Sequence, residues 1–304
     1  MAIRIGTSER DGTFYSQGMA LKAVWEKTTS LKGIEVLASN SASIENANRL
    51  HAGEIEFGFM ASNWIGRAKN GEAPFAQPID IRMVAPMNAG PLFFVTRADS
   101  GIRTVADLRG KRVVVGMKTS GMVQHARNIF PVLGMSFADF TPVYLDFAAG
   151  ADALAGGEAD AQFQCPIPNK VMTELAERID VRVLSYPGDA LDRLMRSVLF
   201  YRPVMMRKGA IRGLAEDVAQ PAVINILATH ARMPEATASE VVGAIIVGAG
   251  ELGRLNPLFA GLADLFEPLR RDGPRALEFG GVALHSGALR AYREAGLLPR
   301  GGGE

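Results

Sequence analysis

Apolar and polar residues fall along this chain in blocks that change period, and the blocks predict strands that run into helices. The clearest is residues 110–134, where Val113-Val114-Val115 is an unbroken apolar run closed by Gly116, the pattern of a strand covered on both faces. After Lys118-Thr119-Ser120-Gly121, apolar residues recur at Met122, Val123, Ala126, Ile129, Phe130 and Leu133. That spacing predicts an amphipathic helix with Thr119 or Ser120 as N-cap. The chain opens in the same way, with a strand at 3–7, a polar turn at 8–13 and a helix over 14–27. A looser third copy places a strand at 34–38, the cluster Ser39-Asn40-Ser41-Ala42-Ser43 and a helix over 44–51. Each strand end thus delivers Ser, Thr, Asn or Gly to a helix start, where unpaired backbone N–H groups favour anions. Together they predict convergence on one small, negatively charged ligand.

Further along, residues 55–60 read as a strand ending at Ala61-Ser62-Asn63, with a short helix over 64–68 and strands at 81–85 and 92–96. A capped helical turn at 104–108 precedes the block already described. Then come a strand at 143–147, a helix at 150–157 and a strand at 159–163 that stops at Gln164-Cys165-Pro166. Strands at 180–185 and 198–201 flank a helix at 189–196, and a strand at 223–229 leads into a mostly helical remainder with a Pro/Gly-rich insert near 268–274. Residues 301–303, all glycine, read as a frayed end. Alternation of this kind predicts an α/β fold of mixed, mostly parallel sheets flanked by helices. The register restarts near Ser100, and Gly53-Glu54-Ile55-Glu56-Phe57 is echoed by Gly157-Glu158-Ala159-Asp160-Ala161, which predicts two lobes of equivalent topology.

Composition narrows the partners. With 33 Lys+Arg against 32 Asp+Glu in 304 residues, the net charge of +1 gives no basic surface for nucleic acid. Cys165 is the single cysteine, so an intrachain disulfide and a thiolate metal cluster are both excluded, which suits a reducing cytosol or a periplasm. Apolar runs such as 241–249 are too short to span a bilayer. Met1-Ala2 leads directly into the first strand, so the expectation is a cytosolic protein or an exported one whose leader has been replaced by an initiating Met. His51, His125, His230 and His285 are scattered without metal-ligand spacing, and no nucleophile elbow, zinc helix, phosphate loop or dinucleotide fingerprint occurs. A binding role without catalysis, metal or cofactor is therefore expected. Lys118 is a candidate counter-charge or a solvated side chain. Arg202, following the apolar run 198–201, is a candidate for a bidentate carboxylate contact or for a salt bridge to a neighbouring acid, and Asn225 carries a similar choice.

Several motifs in order resemble the TAXI-type solute-binding proteins of TRAP transporters. They are Gly6-Thr7 through Gly12-Thr13-Phe14-Tyr15, Ser43-Ile44-Glu45-Asn46 to Gly53-Glu54, and Phe94-Val95-Thr96-Arg97 to Gly101 with Asp107-Leu108-Arg109-Gly110-Lys111. Ser120-Gly121 and the block Leu284-His285-Ser286-Gly287-Ala288 to Tyr292-Arg293-Glu294-Ala295-Gly296 complete the set, so the resemblance covers almost the whole chain. It implies a type II periplasmic-binding-protein fold with a ligand cleft between lobes, closing by a hinge to capture a small carboxylate in the periplasm for TRAP membrane permease subunits. Lobe 1 would comprise 1–97 and 222–304 and lobe 2 would comprise 98–221, hinged near 96–104 and 218–226. Carried over by position, the pocket takes Thr13, Tyr15, Ser41 and Ser43, then Ser62 and Asn63, then Thr119, Ser120 and Gly121, and Gln164. The chain departs from the family where Glu9 and Asp11 place negative charge beside the implied anion site. The alternative is a cytosolic ligand sensor, or an enzyme of the same two-lobe fold acting on a small carboxylic acid.

Overall fold

The computed structural model describes residues 2–10, 12–118 and 120–299. Asp11, Thr119 and 301–303, three of the places read above, lie outside the described residues.

Two compact units are present. One runs through Ala89 and resumes at Ile224, and the other is Gly90–Val223. The first begins with β1 (Arg4–Gly6), α1 (Thr13–Thr28), β2 (Glu35–Leu37), α2 (Ser43–Ala52), β3 (Phe57–Ala61) and α3 (Ser62–Asn70). α1 forms where Phe14, Gln17, Leu21, Val24 and Trp25 recur on one face, and that face is buried. Phe14 stacks on Phe59 at 5.3 Å and Trp25 sets its edge on Phe57 at 5.5 Å. β1 lies between β2 and β3 and is parallel to both, with Ile5 opposite Val36 and Phe57. Their carboxyl ends therefore arrive together at one edge of the sheet. β4 (Ile81–Pro91) then carries the chain into the second unit.

There the elements are β5 (Phe93–Arg97), β6 (Arg112–Val114), α4 (Gly121–Ile129), β7 (Thr141–Val143), α5 (Phe147–Gly156) and β8 (Ala161–Gln164). α6 (Lys170–Arg178), β9 (Val181–Val183), α7 (Ala190–Ser197) and β10 (Tyr201–Met206) follow. The sheet order is β7-β6-β8-β5-β9, with β6 parallel to β7 and β8 and β5 antiparallel to β8 and β9. One face of this sheet packs Phe93 and Val95 with Leu154, Met172 and Leu175 of α5 and α6. The chain returns along β11 (Val218–His230), antiparallel to β10 and, through Asn225 opposite Ala61, to β3. α8 (Glu235–Val247), α9 (Ala249–Leu255), α10 (Pro268–Asp272) and α11 (Ser286–Glu294) complete the first unit. Among the described residues no single helix is long and apolar enough to cross a membrane, and α8 and α9, apolar together, are bent by 70°.

The expected lobe boundary at 97 falls instead between Ala89 and Gly90, because β5 hydrogen-bonds to β8 and β9 and so belongs to the second sheet. The return crossing lies at Val223–Ile224, inside β11. The strand expected at 143–147 is the end of β7 followed by a cap, since Asp146 accepts from the Ala149 N–H at 2.8 Å and starts α5. The strand expected at 198–201 begins only at Tyr201, because the Val198 N–H still bonds back to Leu194 and closes α7.

The repeated Gly-Glu motif proves to be one piece of wiring used twice. Gly53 and Gly157 both end their helices in the left-handed region, with φ of 74° and 78°. Glu56, just before β3, accepts from the Arg4 backbone at 2.8 Å and from its guanidinium, which also donates to the Gly53 carbonyl. Asp160, just before β8, does the same for Arg112, whose guanidinium donates to the Gly157 carbonyl at 2.8 Å. The Arg112 pair holds the Asp160 carboxyl below the usual carboxylate range. Both clamps sit at the amino ends of their strands.

Candidate functional site

In the first unit, three turns stand at the carboxyl ends of β1, β2 and β3. α1, α2 and α3 start there on Gly12, Ala42 and Ala61, and none of these N-cap residues supplies a side-chain bond. Side chains cap α5 from Asp146, α6 from Asn169 and α11 from His285, while α4, α7, α8, α9 and α10 also start without a side-chain cap bond. The turns are braced to one another. Thr7 donates to the Leu37 carbonyl, Ser8 accepts from the Tyr15 and Ser39 N–H groups, and Asn46 donates to the carbonyls of Thr7 and Phe59, both at 2.9 Å. Ala42 is held at φ 40°, ψ −103°, strain that an alanine adopts only when its surroundings impose it.

The sequence-expected residues of this unit divide into two groups. Ser43 and Ser62 are buried and committed to the backbone, Ser43 accepting from the Ala61 N–H at 3.0 Å and Ser62 from the Ile224 N–H at 3.1 Å. They hold the tips in place. Thr13 and Ser41 are exposed, and Tyr15 and Asn63 are half-buried. Tyr15 brings a residue that the sequence reading passed over, because its hydroxyl accepts from Arg10 at 3.1 Å and the guanidinium lies 5.5 Å from its ring centroid. A cation on the β1–α1 turn offsets the charge of Glu9. Also missed was a buried amide group, in which Asn88 Oδ1 accepts from Gln17 at 3.1 Å and from Asn225 at 3.2 Å. Its signal was present, since Asn88 interrupts an apolar strand and Gln17 falls on the apolar face of α1. A surface depression of about 520 Å³ along α2 is lined by Ser41, Asn48, Glu45 and Glu54, with Arg49 paired to Glu45. Its acidic lining suits no anion.

In the second unit, Ser120 is the N-cap of α4 by position, yet its hydroxyl is enclosed and makes no hydrogen bond to the described residues. Gly121 is exposed, and a Cβ there would meet open space. Thr119 lies outside the described residues. Gln164 ends β8 fully buried, with neither amide atom partnered among the described residues. Lys118 is exposed and lies 5.4 Å from the Tyr144 ring centroid. Arg202 donates to the backbone carbonyls of Leu199 and Tyr201, both at 2.9 Å, and burial lowers its pKa below the ordinary arginine value. Its observed work is to close the start of β10.

Between α4 and β10 lies a polar cluster that the sequence did not disclose. His125 Nδ1 is 2.6 Å from the Tyr201 hydroxyl, which also accepts from Asn128 at 3.4 Å. Burial pushes the His125 pKa down to about 4, so at neutral pH the ring is uncharged and shares a hydrogen bond with the Tyr201 hydroxyl through Nδ1. Cys165 is an inert thiol here, pushed up to about 12 by burial. Since an unfolded histidine titrates near 6.5, acidification loads a proton onto the unfolded chain that the folded chain refuses. His125 therefore stabilises the fold fully above pH 6.5, and that share is lost as pH falls towards 4, by about 2 kcal/mol after allowance for partial exposure. His230 and His285, also held low by burial, act in the same sense. The urea midpoint of His125→Asn should consequently fall less between pH 7.5 and pH 5 than that of the parent. Equal falls would refute the assignment.

Among the described residues no group of three His, Cys, Asp or Glu is placed to hold a metal ion. The sequence matches the NMT1-like family over residues 5–296. The chain belongs to the NMT1-like family. Among solved structures, this family member is similar to the periplasmic sulfonate-binding protein SsuA from Methylobacillus flagellatus KT, with 13% identity and a TM-score of 0.59 over 100% of this chain and 98% of the other. It is also similar to a TctC solute-binding protein from Polaromonas, with 14% identity and a TM-score of 0.55 over 97% and 96% of the two chains. At such identities the likeness is one of fold. The NMT1-like chain thus has the mixed α/β, two-unit architecture of periplasmic binding proteins.

Proposed function

We propose that the chain is an extracytoplasmic solute-binding protein that captures a small organic acid and passes it to a TRAP-type membrane transporter, as TAXI-type proteins do. The observation that carries this reading is the set of side-chain-uncapped helix starts at the tips of β1, β2 and β3, with Arg10 on the first turn. Helix N-termini present N–H groups and partial positive charge, which suits a carboxylate. Capture requires no catalytic group, and hinge closure about β4 and β11, the two strands that carry the chain between units, is its proposed mode. SsuA is by name a sulfonate binder, and a sulfonate offers the same acceptor oxygens as a carboxylate, so both classes belong in the test.

The experiment is a thermal-shift screen of the full chain against carboxylates, sulfonates and acidic amino acids. A ligand at a hundred times its Kd should stabilise the fold by about 2.7 kcal/mol. With the best hit, Thr13→Val, Ser120→Ala and Arg10→Ala are each expected to weaken binding by about 1 kcal/mol or more without lowering the midpoint of the unliganded protein. A screen in which no acid shifts the melting temperature sinks the proposal. Sulfonates alone shifting it would replace the carboxylate.

A further inference from the structure

Both strands that carry the chain between the units are fastened by side chains on the first unit's side of the crossing. Asn88 in β4 stands two positions before Gly90, where the second unit begins, and Asn225 in β11 stands two positions after Val223, where it ends. Asn88 Oδ1 accepts from Asn225 Nδ2 at 3.2 Å and from Gln17 Nε2 at 3.1 Å, so one oxygen ties the two strands to each other and to α1. Gln17 is fully buried and Asn88 almost so, which leaves no water to take over either bond. Next to Asn225, the Ile224 N–H donates to Ser62 Oγ at 3.1 Å. The helices that receive these ties are α1 and α3. Gln17 lies one turn past Thr13, and Ser62 is the first residue of α3.

On the other side of the crossing the chain changes character. Residues 89–91 are Ala-Gly-Pro and residues 221–223 are Pro-Ala-Val, and none of the six carries a polar side chain. Each prolyl nitrogen also lacks a hydrogen for the strand ladder. A Cβ at Gly90 would meet nothing closer than the Val223 carbonyl oxygen at 3.5 Å, so the two apolar stretches run side by side without interlocking. Resting on the solute-capture reading, we propose that Asn88 is a hinge latch: it makes β4 and β11 move as one body with α1 and α3 and confines bending to 89–91 and 221–223. A solute that orders the starts of α1 and α3 thereby orders the strands that must turn on closure. Asn88 and Gln17 are positioning residues in this scheme and touch no solute. Without the latch each strand can leave the unit at its own angle, and a bound solute must fix that freedom at the expense of affinity.

The test is single-molecule fluorescence transfer on the full chain, with dyes at Glu177→Cys on α6 and Ala236→Cys on α8, both exposed positions. Cys165, its thiol pushed up to about 12 by burial, stays unlabelled. Asn88→Leu alone strands the Gln17 amide and should melt lower than the parent. Gln17→Met combined with Asn88→Leu replaces the buried pair by apolar side chains of similar shape and should recover the parent's melting temperature. The latch predicts that this double variant, though stable, has a transfer-efficiency distribution about twofold broader than the parent's without solute. It should also bind the best acid of the screen about tenfold more weakly, through faster dissociation. Asn88→Asp keeps an oxygen for both donors and should retain the parent's width. The proposal is overturned if the double variant keeps the parent's width, if it broadens without losing affinity, or if it melts as low as Asn88→Leu, which would make the amides a structural group only. The width is measured without solute, so failure of every acid and sulfonate to bind would remove the solute-capture reading and still leave the width to decide whether Asn88 restrains the crossing strands.

Discussion

Gly287→Ala is expected to destabilise the first unit by about 3 kcal/mol, at the upper end of what overpacking costs. A Cβ at this position would stand 2.3 Å from the Glu235 carbonyl oxygen, 2.8 Å from the Ala238 Cβ and 2.9 Å from the Ser239 nitrogen. Two of those three atoms are backbone of α8, which cannot swing aside as a side-chain tip can. α11 must therefore lift away, exposing Ala288, Ala291 and Tyr292, which are now buried, and stretching the bond from the Tyr292 hydroxyl to the Val84 carbonyl at 3.0 Å. Gly243→Ala is the control, because it lies inside α8 with open space around its would-be Cβ and should be neutral or stabilising by about 0.5–1 kcal/mol. Urea denaturation of the two variants gives the comparison. Equal midpoints would show that α11 does not seat on α8 as described.

Asn46→Leu should cost a similar amount, about 3 kcal/mol, for a different reason. The Asn46 side chain is fully buried and donates to two carbonyls, that of Thr7 just past β1 and that of Phe59 in the neighbouring β3. Leucine keeps the volume and removes both donors, leaving two buried oxygens short. Asn46→Asp should be worse, since the same donors are lost and a charge is buried with them. Both carbonyls stand close to the turns that start α1 and α3, so the thermal shift produced by a bound acid should shrink along with the unfolding midpoint. If the midpoint falls and the shift persists in full, the tips of β1 and β3 take no part in binding.

What could be read from the sequence was what is decided locally. The strand ends, the small polar turns and the helices after them were visible because apolar periodicity and turn residues act over a few positions. The repeated Gly-Glu motif was also legible, though not the arginine clamp behind it. Missed features depend on residues far apart in the chain: His125 meets Tyr201 across 76 positions and Gln17 meets Asn88 across 71. The lobe boundary was misplaced because β4 and β5 read as one pair of adjacent strands, and only the partners of β5 reveal which sheet owns it. Ser43 and Ser62 were legible as polar tip residues, but the backbone amides they accept from lie 18 and 162 positions away.

The duplicated clamp has a consequence for how such a protein diversifies. Arg4 with Glu56, and Arg112 with Asp160, fasten each sheet at the end remote from the turns. On the proposed reading of the turns, fastening and recognition fall at opposite ends of the same strands. If the turns bind the solute as proposed, a lineage can exchange the residues at that end while the rivets at the other end keep the framework intact. Evolvability is in this sense built into the strand direction.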